Sequence, residues 1–102
     1  MNQLATNARA LAALGHETRL ALFQLLVRAG RDGLSVGEIG EHLGTAPSTL
    51  AHHLSALAEA GLVIQERHGR QVINRADYTA MHGLIGFLTA ECCTGVKLSL
   101  DA

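Results

Sequence analysis

A chain of 102 residues is long enough for one domain with a modest core, so the sequence predicts a single domain over residues 1–102. Its net charge of −1 excludes a protein that is basic throughout, so any contact with nucleic acid must come from a local patch. No apolar run approaches the length of a membrane span, and the N-terminal residues lack the basic-then-apolar pattern of a signal peptide; we therefore expect a cytoplasmic protein with no membrane partner.

The first third of the chain has the apolar spacing of two helices. Residues 2–14 predict a first helix that Gly15 ends, and residues 17–28 predict a second, followed by the turn-rich residues 29–33. The second helix is rich in apolar side chains, so we expect it to lie in the core. The predicted apolar faces comprise Leu4, Ala8, Leu11 and Ala12 in the first helix and Leu20, Phe23, Leu26 and Val27 in the second.

Residues 35–61 have the pattern of a helix-turn-helix motif. Ser35 and Glu38 match the S-x-x-E capping box, which predicts a short helix, and Leu34 and Ile39 are placed to form a hydrophobic staple at its start. A glycine ends this helix. A short capped helix, a glycine turn and a second helix together indicate a DNA-binding element, although the generic pattern also occurs in other proteins.

The second helix of the motif has one apolar face and one face of short polar side chains. Thr45 is its predicted N-cap, Pro47 suits a first turn whose backbone N–H groups have no helical partner, and Gly61 ends the helix. The polar face can approach the floor of a DNA groove, or it is the solvated side of an ordinary amphipathic helix. The apolar stripe is Leu50, Leu54 and Leu57, and the polar side chains are Ser48, Thr49, His52 and Ser55.

Residues 62–76 change to an extended periodicity and predict a β-hairpin, with Gly69 supplying the positive φ of its turn. The hairpin contains three arginines and one acidic residue, so it is a basic segment in a slightly acidic protein. A hairpin directly after a helix-turn-helix motif is typical of a wing. Arg67 and Arg70 are then placed to contact phosphates or the minor groove; the alternative is an ordinary solvated turn.

Residues 78–93 predict the last helix. An apolar helix beyond a complete winged core requires a partner. We expect it to pack with the first helix, residues 1–14, of its own chain and of a second subunit, because DNA readers of this kind are usually two-fold dimers. The expected fold is mostly α with a β-hairpin wing, a homodimeric winged helix-turn-helix. The stripe of the last helix is Met81, Leu84, Ile85 and Leu88.

Four stretches of the sequence resemble one known family. They are residues 16–20 (HETRL), 48–54 (STLAHHL), 60–63 (AGLV) and 66–70 (ERHGR). With the order of the elements, they resemble the ArsR/SmtB family of dimeric winged-helix repressors over nearly the whole chain. The resemblance implies a transcriptional repressor that binds double-stranded operator DNA and is released by a ligand.

The resemblance also implies which residues read DNA. Family members use positions that match Pro47, Ser48, Ala51 and His52, and often have Gln and Ser where this chain has Pro47 and Ala51. Ala51 can still contact a thymine methyl group. His53, beside His52, is expected to be partly buried. The predicted DNA-binding set is Pro47, Ser48, Thr49, Ala51, His52, Ser55, Arg67 and Arg70.

Two ligand sites of the family have no counterpart in this sequence. The thiol site C-V-C at the start of the third helix falls on residues 35–37 (SVG), and the zinc site on the last helix needs ligands that Asp77 and His82 do not complete. Cys92 and Cys93, at the end of the last helix, resemble the C-terminal thiol pair of an arsenic-sensing branch.

Adjacent thiolates suit soft ions such as trivalent arsenic and antimony. Neighbouring residues on a regular helix diverge by about 100°, so Cys92 and Cys93 can direct both sulfurs to one atom only where the helix frays, which Thr94 and Gly95 would allow. The C-terminal end of the helix dipole should raise the thiol pKa, so the ligand bond must drive proton release. The alternative is that both cysteines are buried small hydrophobes.

The arsenic-sensing branch generally adds a third cysteine for inorganic arsenite, and this chain has only two cysteines. The third position on arsenic then comes from a small thiol, water or a carbon that arsenic already carries. We expect no obligatory cofactor and, as inducer, an As(III) compound, preferentially an organoarsenical such as methylarsenite. A redox or reactive-sulfur sensor of the same fold is the alternative. An enzyme is not expected, because the sequence has no nucleophile–base set, phosphate loop or metal site.

Overall fold

The computed structural model describes residues 2–97; residues 1 and 98–102 of the predicted domain lie outside the described residues. The helices are α1 (Gln3–Leu14), α2 (Glu17–Ala29), α3 (Val36–Leu43), α4 (Pro47–Glu59) and α5 (Tyr78–Thr89). The strands are β1 (Leu34–Ser35), β2 (Val63–His68) and β3 (Gln71–Ala76), and a 3-10 turn spans Gly30–Asp32. This is the predicted winged helix-turn-helix, in which α3 and α4 form the motif and β2 and β3 form the wing.

The predicted leucine stripe of α4 lies at the centre of the core. Leu50, Leu54 and Leu57 are fully buried, as predicted. The predicted face of α2 is wrong at Leu20, which is 46% exposed. The helix α2 packs against α1, α3, α4 and β3. Leu20 lies outside the side of α2 that these elements bury. The buried residues of α2 are Leu22, Phe23, Leu25 and Leu26.

The helix α4 starts differently from the prediction. Its N-cap is Ala46 rather than Thr45, and Ala46 has no side-chain capping hydrogen bond. The cause is Pro47, because a proline ring forces the preceding residue into an extended conformation, and Ala46 has φ −64° and ψ 144°. The Thr45 hydroxyl instead donates a hydrogen bond of 3.4 Å to the carbonyl oxygen of Leu43, within the turn between α3 and α4.

The wing belongs to a three-stranded antiparallel sheet with the order β1-β3-β2. The turn between β2 and β3 contains Gly69 with φ 65°, as predicted, and His68 pairs with Gln71 across it. The strand β1 is not apparent in the sequence, because two residues are too few to show an alternating pattern. Asn74 of β3 is fully buried and donates a hydrogen bond of 3.2 Å from its side-chain amide to the carbonyl oxygen of Leu34, which holds β1 in place.

The predicted capping box at the start of α3 is present. The backbone N–H of Glu38 donates to Ser35 Oγ at 3.2 Å, and the backbone N–H of Ser35 donates to Glu38 Oε1 at 2.9 Å. The hydrogen bond that the Ser35 backbone donates to the carboxylate favours its ionised form and is the largest cause of the lowered pKa of Glu38, followed by the Ser35 side chain. The box fixes the direction in which the chain leaves the sheet and enters the helix-turn-helix motif.

The terminal helices leave apolar side chains on the surface of the single chain. The buried residue of α1 is Ala10, which the predicted stripe omitted, and that of α5 is Leu84, which it included. All four residues of the predicted α1 stripe are exposed in the single chain, Ala8 and Ala12 among them. The exposed large aliphatic residues of the two stripes are Leu4 (64%), Leu11 (41%), Ile85 (51%) and Leu88 (59%). Exposed large aliphatic residues on the two terminal helices are what a second subunit would cover.

The predicted last helix is wrong at its C-terminal end, because α5 ends at Thr89 and does not reach the cysteines. Ala90 has an extended ψ of 134°, and Glu91 and Cys93 have positive φ values of 56° and 66°, which a right-handed helix cannot contain. The Thr89 hydroxyl donates to the carbonyl oxygen of Ile85 at 2.9 Å in the last turn. None of the helices within residues 2–97 has the length and hydropathy to span a bilayer.

Candidate DNA-binding face and cysteine pair

The side of α4 opposite its leucine stripe is exposed to solvent. The three buried leucines fix the rotation of the helix about its own axis, so this exposed side has a defined orientation relative to the core. The predicted exposure is confirmed, whereas contact with DNA stays a prediction. All six predicted α4 residues lie on the exposed side, namely Pro47, Ser48, Thr49, Ala51, His52 and Ser55.

A glycine that the sequence analysis did not single out sets the spacing between α3 and α4. A Cβ atom on Gly40 would lie 3.3 Å from the carbonyl oxygen of Thr45 and 3.5 Å from Cδ1 of Leu50. These contacts are with the turn and with the buried face of α4, so a larger side chain at position 40 would push the recognition helix outward. The signal available in the sequence was a glycine one helical turn before the end of a short helix.

The wing presents two arginines of the predicted set, Arg67 and Arg70, and both are exposed. The third arginine of the hairpin, Arg75, forms an ion pair with Glu66 on the neighbouring strand. Nε2 of His68 also lies 4.0 Å from Oε2 of Glu66. Glu66 therefore offsets the charge of Arg75, and the positive charge available at the wing comes mainly from Arg67 and Arg70.

His53 lies beneath the exposed side of α4, and its burial is greater than the partial burial predicted. Its side chain is packed against His16, the N-cap of α2, with ring centroids 4.9 Å apart, and against His52, with centroids 5.9 Å apart. Burial first, then the positive charges of His16, Arg19 and His52, lower the pKa of His53. The contact between His16 and His53 could not be read from the sequence, because 37 positions separate the two residues.

Cys92 and Cys93 are exposed thiols beyond the end of α5, with their sulfur atoms 2.9 Å apart. Because the backbone is not helical here, the divergence of neighbouring helical side chains does not apply, and both sulfurs can face one atom. The backbone at the pair is non-helical, which is the condition that the prediction set for both sulfurs to face one atom. The alternative of two buried hydrophobes is wrong for the single chain. The hydrogen bond with Cys93 raises the pKa of the Cys92 thiol, with desolvation as the smaller cause. The first cause is therefore the neighbouring thiol and not the expected helix end.

The cysteine pair provides two sulfur ligands. Among residues 2–97 there is no group of three or more His, Cys, Asp and Glu side chains that could hold a metal ion together. Within the described part of the chain, this site therefore fits a ligand whose central atom has two coordination positions free for sulfur and its remaining position already occupied.

Comparison with known proteins gives a family match over the helix-turn-helix motif and relatives over larger parts of the chain. Residues 14–66, more than half of the chain, match a family described as a helix-turn-helix domain. A relative from Halobacterium salinarum bears the name of an arsenical resistance operon repressor, ArsR, and is 40% identical over 60 residues. The matched segment is 59% of this chain and 46% of that relative, so the chain spans about half the length of this protein.

Two solved structures are similar over most of the chain. An ArsR-like transcriptional regulator from Rhodococcus has a TM-score of 0.75 and 30% identity, and the match covers 86% of this chain and 80% of that chain. A homodimeric winged helix-turn-helix DNA-binding domain from Mycobacterium bovis has a TM-score of 0.67 and 25% identity, over 93% of this chain and 89% of that one.

Proposed function

Because the chain belongs to the ArsR family of winged helix-turn-helix transcriptional regulators, which are not enzymes, we propose that it represses transcription by binding operator DNA as a homodimer. The observation that carries this proposal is the two-sided recognition helix α4. Its leucines anchor one side in the core, and its other side exposes side chains short enough to enter the major groove. The wing beside it adds Arg67 and Arg70 for the phosphates or the minor groove.

Support for the homodimer comes from the exposed apolar side chains of the terminal helices. Leu4 and Leu11 of α1 and Ile85 and Leu88 of α5 are 41–64% exposed in the single chain. Burying them against a second copy is favourable by about 25 cal/mol per Å² of apolar surface. The Mycobacterium bovis domain of similar fold is homodimeric. Two copies related by a two-fold axis would present two recognition helices to two half-sites of the operator.

The proposed inducer is a trivalent arsenical bound by Cys92 and Cys93. Their sulfurs are exposed and 2.9 Å apart, so one arsenic atom can bridge them after a small outward movement of the side chains. Methylarsenite carries one methyl group and two hydroxyl groups. Each thiol transfers its proton to one departing hydroxyl group, so two As–S bonds replace two As–O bonds and two water molecules leave, without oxidation or reduction.

The number of ligands favours a monosubstituted arsenical over inorganic arsenite. Inorganic arsenite retains one hydroxyl group after binding two thiols, and a third cysteine would replace it with a stronger bond to sulfur. Methylarsenite already has carbon at that position and is saturated by the pair. The name of the Halobacterium salinarum relative, that of an arsenical resistance operon repressor, supports an arsenic compound as inducer.

Release of DNA would follow from the position of the pair, three and four residues beyond the last residue of α5. An arsenical that fixes both sulfurs would constrain the chain next to the proposed dimer face, where Leu88 lies. A change in how the two subunits pack would alter the distance between their recognition helices, which must match the half-site spacing. By linkage, bound DNA would weaken binding of the arsenical by the same factor by which the arsenical weakens binding of DNA.

The test is a titration of a preformed protein–DNA complex, followed by fluorescence anisotropy of the labelled duplex. Methylarsenite should release DNA at lower concentration than arsenite, and zinc should not release it. Cys92→Ser and Cys93→Ser should each bind DNA as tightly as the wild type and resist release. Two results would show that the pair is not the arsenical site. One is DNA release from either serine variant at the methylarsenite concentration that releases DNA from the wild type. The other is DNA release from the wild type by zinc as effective as that by methylarsenite.

A thiol-oxidation sensor is the second candidate, because the two exposed thiols are in direct contact, with their sulfurs 2.9 Å apart. A hydroperoxide would oxidise the pair to a disulfide and be reduced to an alcohol and water. The ring closed by two adjacent cysteines has eight members and is strained, which disfavours this product. Release by hydroperoxide that a dithiol reductant reverses, with a loss of two mass units per chain, would favour oxidation over arsenical binding.

A further inference from the structure

The His53 ring lies close to two other histidine rings, one on α4 and one at the start of α2. The ring of the exposed His52 has its centroid 5.9 Å from that of His53, and the ring of His16 has its centroid 4.9 Å from it. Nδ1 of His16 accepts a hydrogen bond of 3.2 Å from the backbone N–H of Thr18, which fixes the His16 ring at the first turn of α2. His53 is only 8% exposed, and its Nδ1 atom is buried without a hydrogen-bond partner.

The electrostatic surroundings of His53 are basic. The groups that act on it are His16 and Arg19 at the start of α2 and His52 on α4 itself. Nε of Arg19 donates a hydrogen bond of 2.7 Å to the carbonyl oxygen of Ala13 in α1, so this charge is held at the meeting point of α1, α2 and α4.

The other elements packed against α4 are α1, α3 and β2, and within residues 2–97 none of them places a carboxylate that acts on His53. Arg9 and Glu59 line a groove between α1 and α4 with Ala13 and Ala56, and neither is among the groups that shift the pKa of His53. An imidazolium at position 53 would thus carry, on Nδ1, a buried N–H with no hydrogen-bond acceptor, and the groups that act on the ring offer it no counter-ion.

We propose that His53 makes operator binding sensitive to acid. A proton on this ring would force apart the contact between α4 and the start of α2, and so displace the recognition helix from the orientation that the operator requires. The helix α1, tied to the same junction through Arg19, would carry the disturbance to the dimer face. The proposal rests on operator binding by α4 and adds a second input that is independent of the cysteine pair.

The direction of the effect follows from the lowered pKa of His53. The stability contributed by neutral His53 is fully present above the ordinary value of 6.5 and is lost as the pH falls through the lowered value. One proton per chain changes the equilibrium between the native state and a state in which α4 has separated from the start of α2 by at most about tenfold per pH unit. A dimer has two such sites. Exposed histidines act in the opposite direction, because their protonation increases attraction to phosphate.

The test therefore compares variants that differ only at buried position 53. Binding of a labelled duplex, selected from a random pool for tight binding, is measured at constant ionic strength at pH 7.5 and 5.5. His42→Gln removes an exposed histidine on α3 and is the control. On acidification, the DNA affinity of the wild type and of His42→Gln should fall several-fold more than that of His53→Leu and His53→Gln. The proposal is wrong if both position-53 variants keep the wild-type dependence on pH.

A second measurement separates this proposal from operator binding itself. Urea unfolding at the same two pH values should show a loss of stability for the wild type that His53→Gln does not share, and NMR should show the His53 ring titrating below 6.5. These results would support the switch even for a protein that failed to bind DNA. Titration of the His53 ring at or above 6.5 would overturn it.

Discussion

The two exposed wing arginines predict how strongly DNA binding depends on salt. Each arginine that contacts a phosphate releases condensed counterions, and the slope of log K against log salt concentration changes by about 0.9 per contact. A homodimer has two wings, so Arg67→Ala should make this slope shallower by about 1.8. Over a fourfold rise in salt concentration the wild type should then lose about twelve times more affinity than the variant.

The wing also contains a matched control for this experiment. Arg75 has the same side chain on the same hairpin, but its charge is offset by Glu66. Arg75→Ala should therefore change the slope less than Arg67→Ala or Arg70→Ala. The loss of affinity at Arg67 should be nearly the same on a tight-binding duplex and on a random duplex of equal length, because a phosphate contact carries no sequence information.

The assay is fluorescence anisotropy on both duplexes at four or more potassium chloride concentrations. If Arg67→Ala keeps the full wild-type slope, Arg67 does not contact a phosphate. If Arg75→Ala flattens the slope as much as Arg67→Ala does, the ion pair with Glu66 does not decide which arginines reach DNA.

Three further predictions concern the recognition helix, the dimer face and the capping box. His52→Ala should weaken binding to a tight-binding duplex by about 1–3 kcal/mol with little effect on random DNA, as measured by competition; an equal loss on both would make His52 a phosphate contact. Leu88→Glu should give a folded monomer with little operator affinity, because one chain has only one recognition helix; sedimentation that still shows a dimer would remove Leu88 from the interface. The lowered pKa of Glu38 means that its stabilisation is present above 4.5 and is lost as the pH falls below that value. Urea unfolding in acid should thus show a steeper loss for the wild type than for Glu38→Gln, and parallel curves would mean that the carboxylate does not contribute.

The features predicted correctly are those that residues close together in the chain determine. The capping box joins Ser35 and Glu38, and the hairpin turn depends on Gly69 and its neighbours. The α4 stripe depends on leucines one and two turns apart, so its pattern was complete within one short segment.

The features that were missed depend on distant residues or on conformations that composition does not reveal. The strand β1 exists because Leu34 meets Asn74, and the buried histidine contact exists because α2 and α4 pack together. The end of α5 was misplaced because the apolar pattern continues toward Cys92, whereas the backbone leaves the helix after Thr89. Periodicity shows which residues can share a face, but it does not show where hydrogen bonding stops.

The two-sided character of α4 has a consequence for how such a protein can evolve. Truncation of a buried leucine such as Leu54 to alanine removes about 2–5 kcal/mol from a total stability of about 5–15 kcal/mol, so that side of the helix tolerates little change. Substitutions on the exposed side, at Ala51 or Ser55 for example, typically change stability by less than about 0.5 kcal/mol. A duplicated copy can therefore acquire a new operator through a series of well-folded intermediates, while the core and the cysteine pair are inherited unchanged.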